Sequence, residues 1–138
     1  MRHQVEESAE LGAGVDEVWK LVGDFTGLIE AMGVPVESSG QGIGQTRKIP
    51  FGAEPTVERL EELDDQAHRV VYSIVEAPLP VRDYRSTMQL SPAGEGRTRL
   101  DWTGTFEVAP GASEEDTVGV VRAIYQGGIG FLQSRFGS

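Results

Sequence analysis

Residues 113–136 read "SEEDTVGVVRAIYQGGIGFLQSRF" and carry the period of a single long helix. Ser113 stands at its start as an N-cap, and Glu114, Glu115 and Asp116 follow in the first turn, where negative charge meets the positive end of the helix dipole. Val118, Val121, Ile124, Gly128, Phe131 and Phe136 recur at roughly helical spacing. At 1.5 Å of rise per residue, a helix of about two dozen residues is about 36 Å long, enough to lie across a whole sheet. Yet Gly127, Gly128 and Gly130 fall within it. Each glycine inside a helix costs about 1 kcal/mol against alanine, in a domain whose net stability is only about 5–15 kcal/mol. Tertiary structure has to offset that cost.

The chain before this helix is built of shorter elements. Residues 3–11, "HQVEESAEL", alternate loosely, with Val5, Ala9 and Leu11 on one face, and predict a first strand. "GVDEVWKLVGDF", residues 14–25, changes period: Val15, Val18, Trp19 and Val22 have helical spacing, with Asp16 and Glu17 in the first turn. "GLIEAM", residues 27–32, predicts a second short helix before Gly33-Val34-Pro35. Strands and turns follow. "VPVESSG" and "GQTRKIPFG" are joined by the turn "GQGIG"; "TVERLEEL" meets "HRVVYSIVEA" through Asp64-Asp65-Gln66; "DYRSTMQLS" and "RTRLDWTGTFEVA" are joined by "PAGEG". Short connections imply an antiparallel meander. There is no internal repeat and no linker, so residues 1–138 are expected to form one α+β domain. About seven strands in a curved sheet would grip the long C-terminal helix, with a cavity between them.

Composition narrows the partners. Asp and Glu outnumber Lys and Arg by 22 to 12, a formal net charge of −10, and the basic residues are scattered. Nucleic acid and anionic membrane surfaces are disfavoured on that ground. No apolar run approaches the roughly 20 residues that cross a bilayer. "MRHQVEESAE" has no apolar core like that of a secretory signal, and the chain has no cysteine, so the expected location is the cytoplasm. The two histidines, His3 and His68, share no metal-ligand spacing with carboxylates; neither a metal nor a cofactor is expected. "GQGIGQ" lacks the strand-before, helix-after context of a phosphate loop and reads as a hairpin turn. No G-x-S-x-G stretch occurs, and Ser86 has no evident base.

The order of elements and four stretches together resemble the START-like (SRPBCC, helix-grip) superfamily, in its bacterial polyketide cyclase/dehydrase-like branch. The stretches are "VWKLVGDFTGL", "VERLEELDD", "YSIVEAPLPVRDYRSTMQL" and "FEVAPGASEEDT". The resemblance covers essentially the whole chain and implies binding of lipids, hormones, polyketides or other apolar small molecules between sheet and helix. The same stretches are similar to those of the plant abscisic acid receptors. There, two loops close over the ligand; the counterparts here are residues 51–56, "FGAEPT", which is shorter, and residues 76–84, "EAPLPVRDY". The second loop carries Leu79, Pro80 and Val81 where the receptors have a histidine, an arginine and a leucine. Met32 stands where the receptors place a lysine for the ligand's carboxylate, and Gly128 matches a receptor asparagine. Abscisic acid is therefore not the expected ligand.

Alternation selects a lining independently. Tyr84, Ser86 and Met88 form one face of their strand, Trp102, Gly104 and Phe106 that of the next, and Ile49 and Phe51 that of an earlier one. "HRVVYSIVEA" leaves the choice open between Val70, Tyr72, Ile74 and Val71, Ser73, Val75. Of Arg47 and Lys48 at most one can enter the pocket. With the positions that the resemblance adds, the candidate ligand-binding set is Phe25, Met32, Ile49, Phe51, Glu58, Tyr72, Ile74, Leu79, Tyr84, Ser86, Met88, Trp102, Gly104, Phe106, Ile124 and Gly128. Gly104 and Gly128 would face each other, either opening volume for a ligand or letting two backbones approach closely; the third reading is a kinked or frayed helix near Gly127. Glu58 and Tyr84 are the candidates for proton transfer, since an inward carboxylate or phenol can serve as general acid or base.

Three functions fit this sequence. The first is a binding or carrier protein for an apolar small molecule such as a lipid, isoprenoid or aromatic polyketide, with "APLP" as its lid. The second is a cofactor-free polyketide cyclase, dehydratase or isomerase. The third is a filled domain that acts through its acidic surface on a protein partner, with a homodimer left open.

Overall fold

The computed structural model describes residues 2–50 and 54–138. In chain order they form β1 (Arg2–Leu11), α1 (Val15–Val22), α2 (Gly27–Ala31), β2 (Glu37–Ser39), β3 (Thr46–Ile49), β4 (Thr56–Asp64), β5 (Arg69–Glu76), β6 (Val81–Pro92), β7 (Thr98–Val108) and α3 (Glu114–Phe136). The strands make one antiparallel sheet in the order β1-β7-β6-β5-β4-β3-β2. After β1, the helices α1 and α2 carry the chain to the far edge. From there each strand pairs with the next, until β7 closes against β1. This is the helix-grip arrangement expected above.

Period-two burial explains the sheet. In β7, Thr98, Leu100, Trp102, Gly104 and Phe106 are buried while their neighbours reach solvent; in β6, Tyr84, Ser86, Met88 and Leu90 do the same. The register slips between Arg82 and Arg85, where Asp83 adopts a left-handed φ of 53°. This one-residue bulge exchanges the two faces, so Val81 packs on the core and Arg82 lies outside. Arg2 holds the bulge, donating from Nη1 to Asp83 Oδ2 and from Nη2 to the Asp83 carbonyl, both at 3.0 Å. Further bulges at Val57/Glu58 and Leu60/Glu62 bend β4 and add to the curvature.

The long helix begins as the sequence predicts: Ser113 Oγ accepts from the Asp116 amide at 3.2 Å. Its buried stripe is Thr117, Val121, Tyr125, Gly128, Ile129 and Leu132. Val121 and Gly128 belong to the expected stripe, but Ile124 is 48% exposed and Tyr125 is wholly buried. Stacking of the Tyr125 ring on Trp102, with centroids 4.5 Å apart, turns the helix one position from the aliphatic pattern. Both ends are held. The Gly12 amide donates to the Gly137 carbonyl at 2.9 Å, and Arg122 Nη1 reaches Glu7 Oε2 on β1 at 2.7 Å. The helix packs along β1 and β7 more than along any other strand. The opposite half of the sheet diverges from it.

Candidate ligand-binding site

Between α3 and that diverging half lies a cavity of about 510 Å³. Its walls include Ile49, Tyr72, Ile74, Leu79 and Tyr84 from the sheet side and Val121, Ala123, Ile124, Gly127 and Gly128 from the helix. A smaller chamber of about 110 Å³ adjoins it, bounded by Leu28, Ile29, Val34, Met88, Trp102 and Leu132. Met32, Ile49, Glu58, Tyr72, Ile124 and Gly128 border both chambers. The interior is therefore not filled, and the pairing of apolar walls with a few polar groups is that of a small-molecule pocket. A more polar groove of about 760 Å³ runs outside, past Glu54, Glu76, Arg82 and Asp83, and meets the cavity wall at Ile74, Leu79 and Tyr84.

Arg47 and Glu58 supply the charge. They face each other across β3 and β4, where alternation sends Arg47 to the same side as Ile49 and leaves Lys48 outside. Arg47 Nε donates to Glu58 Oε1 at 2.8 Å, with the two side chains only 4% and 12% exposed. Nη1 donates to the Phe25 carbonyl at 2.5 Å, and the guanidinium lies over the Phe25 ring at 4.0 Å and the Tyr72 ring at 4.9 Å. Glu58 thus faces a guanidinium, and the inner chamber carries one charge of each sign.

A row of hydroxyls lies behind the other wall and reaches it at Tyr84. Trp102 Nε1 donates to Ser86 Oγ at 2.9 Å, Ser86 Oγ bonds Tyr125 Oη at 3.1 Å, and Tyr125 Oη makes a short hydrogen bond with Tyr84 Oη. Burial pushes the Tyr84 and Tyr72 hydroxyls well above the ordinary phenol range and raises that of Tyr125. Tyr84 therefore stays a neutral phenol near neutral pH, suited to donating a hydrogen bond and unsuited to acting as a base.

The remaining candidates divide by packing. Met32, Ile49, Glu58, Tyr72, Ile74, Leu79, Tyr84, Met88, Trp102, Ile124 and Gly128 lie on the walls. Phe25 packs under Arg47, and Phe106 is buried beside Tyr84 with ring centroids 5.9 Å apart. Ser86, wholly buried, sits behind Tyr125 and does not reach the cavity surface. Phe51 lies outside the described residues. Gly104 opens no space for a ligand, because Tyr125 Oη already fills the position of its missing side chain. A Cβ on Gly128 would come within 2.6 Å of the Trp102 ring. The close approach at both glycines is thus between backbone and aromatic ring, not between two backbones, and α3 runs unbroken through Gly127. Thr56, Pro78, Val121, Ala123 and Gly127 on the large cavity, and Leu28, Ile29, Val34, Arg47 and Leu132 on the inner chamber, are wall residues absent from the candidate set. For Arg47 the signal was present, two residues before the inward Ile49.

A curved antiparallel sheet with one long helix across it and an apolar cavity between them defines a helix-grip domain. The chain belongs to the SRPBCC family described as polyketide cyclase / dehydrase and lipid transport, which matches residues 2–137. It is similar to an uncharacterized protein from Bacillus thuringiensis, at 30% identity over 97% of this chain and 98% of that one, TM-score 0.86. Protein XoxI from Bacillus cereus is similar at 29% identity over 96% and 94%, TM-score 0.84. Norcoclaurine synthase from Thalictrum flavum, solved with dopamine and hydroxybenzaldehyde, shares the fold at 16% identity over 98% and 86%, TM-score 0.76. Among the described residues no helix is long and apolar enough to cross a membrane.

Proposed function

We propose that this protein binds an apolar small molecule, of the lipid, isoprenoid or aromatic polyketide kind, between α3 and the diverging strands β3 to β5. The observation that carries this reading is the cavity of about 510 Å³ with aliphatic and aromatic walls on both facing elements. Such surface is left open to water only at a cost of roughly 25 cal/mol per Å², which an apolar ligand relieves. The family description, with lipid transport beside cyclase chemistry, agrees with it. A cofactor-free cyclase is the second reading, favoured by the Arg47–Glu58 pair on the wall of the same space.

Gly127 gives the test. It lies on the cavity wall with no atom within 4 Å of its would-be Cβ. Gly127→Leu is therefore expected to fold, to melt no lower than wild type, and to narrow the cavity from the helix side. Native mass spectrometry of protein from its own host, beside a denatured control, should show extra mass in wild type that Gly127→Leu lacks. Retention of the same mass by Gly127→Leu would put the ligand elsewhere.

A further inference from the structure

The hydroxyl row has a direction. Three hydroxyls, on Ser86, Tyr125 and Tyr84, share two hydroxyl–hydroxyl bonds, so one proton is left over. The indole N–H of Trp102 can only donate, and it donates to Ser86. A hydroxyl that accepts is polarised to donate onward, so the row runs from Trp102 through Ser86 and Tyr125 to Tyr84. Tyr125 is wholly buried, and a surplus proton on it would be a buried donor without an acceptor. Ser86, also wholly buried, has the Tyr72 hydroxyl beside it, which makes Tyr72 the competing outlet to the cavity. Tyr84 is the member of the row that borders the large cavity. The surplus proton emerges there.

We propose that Tyr84 is the specificity-determining donor of this cavity, and that its ligand presents a carbonyl oxygen, of ketone, ester or quinone type, on an otherwise apolar frame. The inference rests on the cavity being the ligand site. A cationic or purely donating head group would meet an O–H pointing the wrong way. A pure hydrocarbon would enter but leave Tyr84 without an acceptor. The bulge at Asp83, clamped by Arg2, sets the phase of β6 that turns Tyr84 inward. Burial keeps that hydroxyl protonated, so the donor persists across the neutral range.

Benzophenone and diphenylmethane differ chiefly by the carbonyl and serve as probes. Wild type should bind benzophenone about fivefold more tightly than diphenylmethane, the worth of one net hydrogen bond. The infrared carbonyl band of bound benzophenone should sit below its position in hexane. Tyr84→Phe should bring the affinity ratio to about one and return the band to its hexane position, with diphenylmethane affinity changed by less than about twofold. If diphenylmethane binds but wild type shows neither the preference nor the band shift, the donor assignment is overturned while the cavity reading stands. If Tyr84→Phe keeps the preference, the donor is another group and the assignment is again overturned. If neither probe binds, both readings fall. Should Tyr84→Phe fail to fold, the wild-type band decides alone: an unshifted band overturns the proposal.

Discussion

The two flanks of α3 are built on opposite terms. Toward β1 and β7 the space is filled: Trp102 stacks on Tyr125, Gly104 makes room for the Tyr125 hydroxyl, and Gly128 makes room for the Trp102 ring. Toward β4 and β5 it is open, with Ala123, Ile124 and Gly127 on the wall of an unfilled cavity. The dividing line runs between two adjacent glycines. Gly128 is required by the Trp102 ring that touches it, whereas Gly127 faces open space and packing does not require it, so a helix can grip a sheet and leave a pocket within a single turn.

The sharpest way to break this contrast is alkaline titration. The chain has three tyrosines, and burial raises the hydroxyls of all three, Tyr72, Tyr84 and Tyr125. Each raised group gives stability that is fully present below the unfolded phenol value of about 10 and is lost as pH rises toward the folded value. Above about pH 10 the unfolded state sheds protons that the folded state keeps, so stability should fall by up to about 1.4 kcal/mol per pH unit for each tyrosine that stays protonated. Melting curves with phenolate absorbance check this. Phenolate absorbance that rises before unfolding would show that the hydroxyl side is wetter than described.

The open side contains its own costly element. Glu58→Leu leaves Arg47 buried without its carboxylate and should cost about 3 kcal/mol in urea unfolding. The double variant Arg47→Met, Glu58→Leu should recover most of that loss, since a well-packed apolar pair often matches a buried ion pair. A double variant as unstable as the single one would mean that Arg47 is held chiefly by Phe25 and Tyr72. The smallest effects come from the adjacent glycines. Gly128→Ala should lower stability by about 1–2 kcal/mol by displacing Trp102, after the gain in helix propensity. Gly127→Ala should raise it by about 1 kcal/mol. Equal shifts from the two would erase the dividing line.

Most of the fold was legible because it is written in period. Alternation in β6 and β7, glycine and proline in the turns, and Ser113 before a run of acids gave the elements and their order. The cavity wall was legible where one side chain in two was apolar, and Arg47 could have been placed by counting back from Ile49. The exchange of Ile124 for Tyr125 was not, because periodicity weighs aliphatic residues and does not see that a phenol can be buried once its hydroxyl has partners. The filling of Gly104 was hidden for a related reason. An absent side chain looks the same in sequence whether a ligand or a tyrosine occupies the space. Nor does alternation announce the bulge at Asp83, a residue type that tolerates positive φ better than most but is held there by Arg2 from a distant strand.

The closure of β7 onto β1 also sets the order in which the molecule can be made. Ser8 and Asp101, hydrogen-bonded at 2.7 Å, are 93 residues apart in sequence. During synthesis at about 5–20 residues per second, β1 leaves the ribosome several seconds before its partner strand exists, while the meander from β2 to β7 needs only local pairings. Through that interval β1 is a bare strand edge, the kind of segment that joins other chains. Glu6 and Glu10, exposed in the finished sheet, give the waiting strand the charge that keeps it apart from others.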